Sequence, residues 1–235
     1  MTNLVGRPPA EIENLVAPLV DRPFRGSQVA HWIVHRHAAN FDEMTNLSLS
    51  LRELLKEHFV INHLSVANEQ ISNDRTIKSG FKLYDSNIVE GVLIPTENRM
   101  TACISSQVGC SLSCKFCATG FLDRKRNLEP GEIYDQVVQI NKQAEENYDI
   151  PLSNIVLMGM GEPLLNYTNV LQGVDRITAE DGLNMSPRRI TLSTAGIAKM
   201  IKKLADDKVK FNLALSLHAA DDQKRNSIME INESN

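Results

Sequence analysis

Three of the four cysteines in this chain fall within eight positions, in "GCSLSCKFCATG" (residues 109–120): Cys110, Cys114 and Cys117, with spacers of three and two residues. Thiolates are the usual ligands of iron in iron–sulfur proteins, and these spacers fit a short loop wrapped around a cubane cluster. Three protein ligands leave one iron of four without a protein partner. An open metal position is what a catalytic site keeps and a structural site fills. A zinc site completed by a distant histidine and a set of unligated thiols are the alternatives, although no second cysteine pair supplies the usual zinc knuckle.

Other short words carry groups that could serve such a centre. "GMGEP", Gly159 to Pro163, combines glycines that let the backbone approach a ligand, among them Gly161, with Glu162, whose carboxylate could take a cationic amine. Its bland reading is a tight turn with a solvated glutamate. Ser193 in "RITLS" and Ser216, Leu217 and His218 in "FNLALSLH" end successive apolar runs, where hydroxyls and an imidazole can hydrogen-bond a ribose, a carboxylate or an adenine. Taken alone, a serine at a strand end is more often a helix cap. Cys103 lies seven residues before Cys110 and reads locally as a small buried hydrophobe, while Glu90 in "IVEGVLIP" reads as a strand residue facing water. His31 and His35, four apart beside Trp32 and Ile33, read as ordinary helix-face residues.

The elements that must position these groups follow from periodicity. "MTACISS", "NIVLMG", "RITLSTA" and "FNLALSL" are short apolar runs rich in β-branched residues. They alternate with helically spaced segments such as "EIYDQVVQINKQAEE" and "IAKMIKKLADD". Strand–helix alternation predicts an α/β fold with a parallel sheet whose strand ends share one rim. Upstream, residues 10–64 read as helical in "QVAHWIVHRHA" and "LRELLKEHFVI". "TIKSGFKLYDSNIVEGVLIPT" alternates polar and apolar residues around Asp85, Ser86 and Asn87, as a β-hairpin does. The expected units are a helical domain over 1–68, a hairpin connector over 69–98 and an α/β core over 99–235.

Composition sets outer limits. With 235 residues, 42% hydrophobic, 23% charged and 5% aromatic, the chain reads as globular, neither disordered nor fibrous. No apolar run is long enough to span a bilayer, and Glu11 and Glu13 interrupt any leader, so a cytoplasmic location is expected. A net charge of −4 confines any nucleic-acid contact to local patches such as Lys115, Arg124, Lys125 and Arg126.

The spacing Cys-x3-Cys-x2-Cys after a strand resembles the signature of the radical S-adenosylmethionine (SAM) superfamily. The surrounding words "SSQVGCSLSCKFCATG", "LMGMGEPLLN", "ITLSTAG" and "LALSLHA", with "PFRGSQVAHWI" and "FDEMTNLS" upstream, resemble its dual-specificity RNA methyltransferases, which methylate adenine C2 in 23S ribosomal RNA and in tRNA. The resemblance runs from about residue 20 to 228. It implies a partial radical SAM (βα)-type barrel preceded by a small helical N-terminal domain and a β-hairpin. It also implies a [4Fe-4S] cluster on Cys110, Cys114 and Cys117, and SAM on Gly161, Glu162, Ser193, Ser216, Leu217 and His218. Glu90 matches the family's proton acceptor and Cys103 the thiol that resolves a covalent enzyme–RNA intermediate. Arg22, Arg25 and Arg36 of the helical module are candidate phosphate contacts.

The implied partners are 23S rRNA, tRNA and an external electron donor of flavodoxin or ferredoxin type, with the protein a monomer and no membrane involved. Adenine C2–H is neither acidic nor nucleophilic, so the family's route is a radical one, through a methylated cysteine in the C-terminal part of the barrel and a 5'-deoxyadenosyl radical. No cysteine follows Cys117 here, and Glu230 stands before Ile231 and Asn232 where the family has the proline of its "PIN" word. The expectation is a C-terminally truncated member that ligates a cluster and does not complete methylation alone. Two other readings are a relative that methylates adenine C8, and a noncatalytic iron–sulfur or RNA-binding fragment.

Overall fold

The computed structural model describes residues 1–229 and 231; Glu230 and Asn232, and so the comparison with the "PIN" word, lie outside the described residues. The N-terminal module holds helices α1 (Pro9–Val16), α2 (Pro23–Val34) and α3 (Leu49–His58) and two short parallel strands, β1 (Thr2–Asn3) and β2 (Phe59–Val60). Pro9 and Pro23 stand at the first helical position, where the missing N–H loses no bond. Ser48 caps α3 by accepting the Leu51 N–H at 3.3 Å. Val29 and Ile33, one turn apart, share a core with Ile12, Val16 and Leu55. The helical reading of "LRELLKEHFVI" ends at His58, because pairing with residues 2–3 draws Phe59 and Val60 into β2.

The rest of the chain builds one seven-stranded sheet. Strands β3 (Ser65–Ile71), β4 (Ile77–Lys82), β5 (Ile88–Thr96) and β6 (Arg99–Cys103) are antiparallel neighbours. β7 (Gln107–Val108) and β8 (Arg126–Asn127) form a separate pair that encloses the cysteine loop. β9 (Asn154–Leu157), β10 (Ile190–Thr194) and β11 (Asn212–Leu215) then extend the sheet from β6 in parallel, giving the order β11-β10-β9-β6-β5-β4-β3. The four expected parallel strands are thus β6, β9, β10 and β11. The expected reversal at Asp85–Asn87 joins β4 to β5, and both belong to this same sheet.

Helices α4 (Pro130–Tyr148), α5 (Tyr167–Thr178) and α6 (Ala198–Asp206) connect the parallel strands, and α7 (Asp222–Ile228) follows β11. In α4, Ile133, Val137, Ile140 and Ala144 recur at three and four and are fully buried. Each of the larger three contributes roughly 1.5–3 kcal/mol by leaving water. Helix α5, which the sequence reading did not single out, buries Val170, Val174 and Ile177 in the same way. Across the strands, Ala102, Ile155 and Ile190 stand in register and are buried on the helix-covered face. Alternation therefore sends Cys103, Val156 and Thr191 to the opposite face.

The helical module joins this core through residues 61–64. The buried Asp135 of α4 accepts from His63 Nδ1 at 3.0 Å and from the Leu64 N–H at 2.6 Å. Burial opposes charge on His63, but the hydrogen bond and charge of Asp135 outweigh it and raise its pKa. No described helix is long and apolar enough to cross a membrane.

Candidate active site

The β7–β8 pair closes residues 109–125 into a loop, and Cys110 bridges to Asp123 inside it. The loop is held by its own backbone: the Cys117 N–H donates to the Cys114 carbonyl at 3.0 Å, the Gly120 N–H to the Cys117 carbonyl at 2.9 Å, and the Leu112 N–H to Cys110 Sγ at 3.4 Å. Cys110, Cys114 and Cys117 all line a cavity of about 300 Å³, together with Gly161, Glu162, Ser193 and Ser216. Cys103 is not among its walls. Burial pushes the thiol pKa of Cys110 and Cys114 up, and the neighbouring thiols and Glu162 add to the rise. Such thiols exchange their protons for metal when they ligate.

These residues fit a cluster with one open iron. Three soft donors face one cavity, the fourth thiol stays outside it, and the remaining walls offer a carboxylate and two hydroxyls to a polar ligand. Among the described residues, no group of three or more His, Cys, Asp or Glu side chains is arranged to hold a single metal ion. A polynuclear cluster, by contrast, spreads its protein ligands over separate corners. Two larger clefts, of about 560 and 580 Å³, contain no cysteine and lie at the module junction and beside the β5–β6 turn. Chemistry, not size, selects the thiol-lined cavity.

The rim after β9 is locked by a residue the sequence reading missed. Gln107, fully buried, accepts the Glu162 N–H at 2.9 Å through Oε1 and donates through Nε2 to Asn127 Oδ1 at 2.8 Å. Gly161, with φ +94°, passes so close that a Cβ there would lie 2.5 Å from the Gln107 Cβ, so only glycine fits. The Glu162 side chain is 4% exposed, which overturns its reading as a solvated glutamate. Its Oε1 accepts the Leu164 N–H at 3.0 Å and its Oε2 the Ala195 N–H at 2.7 Å. Burial raises its pKa and those N–H bonds work against the rise. The Thr194 side chain also hydrogen-bonds this carboxylate, which leaves about one of its roughly four acceptor sites for a ligand.

Ser193 and Ser216, on adjacent strand ends, have hydroxyl oxygens 3.3 Å apart. The His218 ring lies against Phe116, itself a wall of the cavity, with centroids 3.9 Å apart and planes tilted by 39°, while Leu217 is exposed to solvent. Phe116 was not singled out from sequence, nor were the buried amides behind the rim. Gln136 exchanges two bonds with the Ser105 backbone at 2.9 and 3.1 Å, and Asn166 donates to the Ser106 and Leu128 carbonyls, each at 2.8 Å. A polar residue such as Gln136 in the apolar phase of α4 was the available signal.

Glu90 and Cys103 do not line the cavity, although the Cys103 thiol takes a hydrogen bond from the backbone of Met158, one of its walls. Cys103 pairs with Val92 on β5, so Glu90, two residues before Val92, shares its sheet face. Glu90 Oε1 lies 2.6 Å from Lys78 Nζ. Burial raises the pKa of the Cys103 thiol. Of the basic patch, Arg126 is committed to Asp85 at 2.6 Å and Glu132 at 2.7 Å, and it holds the Asp85 carboxyl at about 2.

Residues 104–234 match the family model of the radical SAM superfamily, and residues 2–61 match that of the ribosomal RNA large subunit methyltransferase N-terminal domain. A probable dual-specificity RNA methyltransferase RlmN of Cytophaga hutchinsonii is 64% identical over 225 residues, covering 96% of this chain and 62% of the relative. One from Flavobacterium johnsoniae is 59% identical over 209 residues, covering 89% of this chain and 60% of its own. The chain thus spans about three-fifths of the length of these curated relatives. The crystal structure of a radical SAM methyltransferase from Sphaerobacter thermophilus superposes with a TM-score of 0.89 at 37% identity, over 100% of this chain and 69% of that one. The three-thiol loop, the parallel strand ends facing it and a match over more than half the sequence lead to one conclusion: the chain belongs to the radical SAM superfamily.

Proposed function

We propose that this chain serves the methylation of adenine C2 in 23S ribosomal RNA and tRNA, as the sequence resemblance implies and in keeping with relatives named as dual-specificity RNA methyltransferases. One observation carries the reading: Cys110, Cys114 and Cys117 open onto the same cavity as Glu162, Ser193 and Ser216. In that reading the thiols hold a [4Fe-4S] cluster, and the Gly161–Glu162 turn takes the amino group of SAM. Ser193, Ser216, Leu217 and His218 take its remaining polar groups. The bound cluster supplies the electron that cleaves SAM, chemistry no side chain provides. The protein's own task is to orient the ligand and keep water out.

Glu90 and Cys103 belong to the RNA side of the same reading. Glu90 would accept a proton and Cys103 would help resolve an RNA adduct formed on a further cysteine that is not among the four of this sequence, both from one face of the sheet. The helical module grips RNA, with Arg22 and Arg36 toward phosphate. Arg25 is already engaged by the Asn46 carbonyl at 2.9 Å and contributes less. An external one-electron carrier reduces the cluster, and the protein works as a cytoplasmic monomer.

Anaerobic reconstitution with iron and sulfide should load one cluster per chain. Stoichiometric zinc with no iron overturns the cluster assignment. Deleting the gene that encodes this sequence is expected to remove 2-methyladenosine from ribosomal RNA and tRNA, read by nucleoside mass spectrometry. Unchanged 2-methyladenosine overturns the substrate assignment, and loss of 8-methyladenosine in its place moves the reaction to C8.

A further inference from the structure

Arg225, in α7, reaches back across the rim of the thiol-lined cavity. Its Nη2 donates to the Ala195 carbonyl at 2.6 Å and the Ser216 carbonyl at 3.3 Å, and its Nε to the Leu217 carbonyl at 3.2 Å. Ala195 follows β10, whereas Ser216 and Leu217 follow β11, so one guanidinium gathers two strand ends. The preceding peptide unit is held as well, the Ala195 N–H donating to Glu162 Oε2 at 2.7 Å. Gly196, next in the chain, has φ +107°, a backbone conformation that favours glycine.

The segment carrying Arg225 is fastened at its far end too. The Lys115 N–H, between two of the cluster cysteines, donates to the Ile228 carbonyl at 3.0 Å, and Met229, 1% exposed, forms part of the cavity wall. Residues 225–229 therefore span from the β10–β11 rim to the cysteine loop. A guanidinium suits the rim end because its charge is permanent and its planar fork reaches several carbonyls at once. Lysine offers the charge without the fork.

We propose that Arg225 is a positioning residue for SAM: by holding the Ala195 carbonyl it restrains the backbone of that residue, whose N–H, one peptide unit earlier, orients the Glu162 carboxylate toward the amino group of the ligand. The proposal rests on the reading of the cavity as the SAM site. Its effect falls most strongly on ligands that carry that amino group. In reconstituted protein, Arg225→Lys should weaken SAM binding about tenfold, the size expected for losing charge-assisted bonds behind a ligand contact. Methylthioadenosine, which lacks the methionine amino and carboxylate groups and keeps only the adenosine half, should weaken clearly less than SAM. Iron and sulfide content should match wild type, the midpoint of thermal unfolding should fall by only a few degrees, and Arg225→Gln should repeat the pattern.

Equal weakening of both ligands would make Arg225 a general support of the rim and overturn the proposal, as would unchanged SAM affinity. Wild-type protein that loads its cluster yet binds no SAM refutes the cavity reading itself, and the proposal with it. That outcome is distinct, because it needs no variant to be seen.

Discussion

The two halves of the sheet are built to different standards. At the rim of the parallel half, Gln107, Glu162 and Asn166 are each less than 5% exposed, and each bridges segments far apart in the chain. On the open face of the antiparallel half, Lys78 and Glu90 face each other with side chains 45% and 50% exposed. The rim's polar groups are held by the protein's own hydrogen bonds, which suits a small charged molecule that must be oriented closely. The open face has its polar groups in water. A surface of that kind is finished by a large partner that covers it, as RNA would under the proposed function.

The sharpest way to break this contrast is to remove one thiol from each region. Cys114→Ala should abolish cluster uptake, with nearly all iron lost after anaerobic reconstitution, since a loop with two thiolates no longer supplies the ligand set. Cys103→Ala, altering a strand residue outside the cavity, should retain iron and sulfide at the wild-type level. Equal loss from both variants would mean that Cys103 is a ligand and that the division between rim and open face is wrong.

A smaller effect tests how strongly the rim is built. Gln107→Leu keeps the side-chain volume but leaves the Glu162 N–H without its acceptor in a buried place. A buried orphan donor costs about 1–3 kcal/mol, and urea denaturation of the apo protein should show a loss of that size. A change within error would show that water replaces the amide, and that the rim is looser than its hydrogen bonds suggest.

Gln107 also marks the limit of what the sequence could reveal. The cysteine spacing is local, and so are the apolar runs of β6, β9, β10 and β11; both could be read directly because chemistry and period lie within a few residues of one another. The bond from Gln107 to Glu162 spans 55 positions and that from Arg225 to Ala195 spans 30. No local pattern encodes a partner that distant. Glu162 reads as a carboxylate available to an amine, yet in the fold it first satisfies two backbone N–H groups. At Phe59–Val60 the helical period was misleading for a similar reason, since a strand at the N-terminus outweighs the local preference.

The smallest effect is expected on the open face. Lys78→Met removes the partner of Glu90 while keeping the aliphatic stem. Exposed ion pairs contribute about 0–1 kcal/mol, because both charges are well solvated and holding two long side chains together costs conformational freedom. Urea denaturation should therefore place the variant within about 1 kcal/mol of wild type, and the difference should vanish near 1 M salt, where screening acts over roughly 3 Å. A loss as large as that of Gln107→Leu, persisting in high salt, would mean that Lys78 and Glu90 are locked as tightly as the rim. The antiparallel face would then be a second prebuilt site, not a surface left open for a partner.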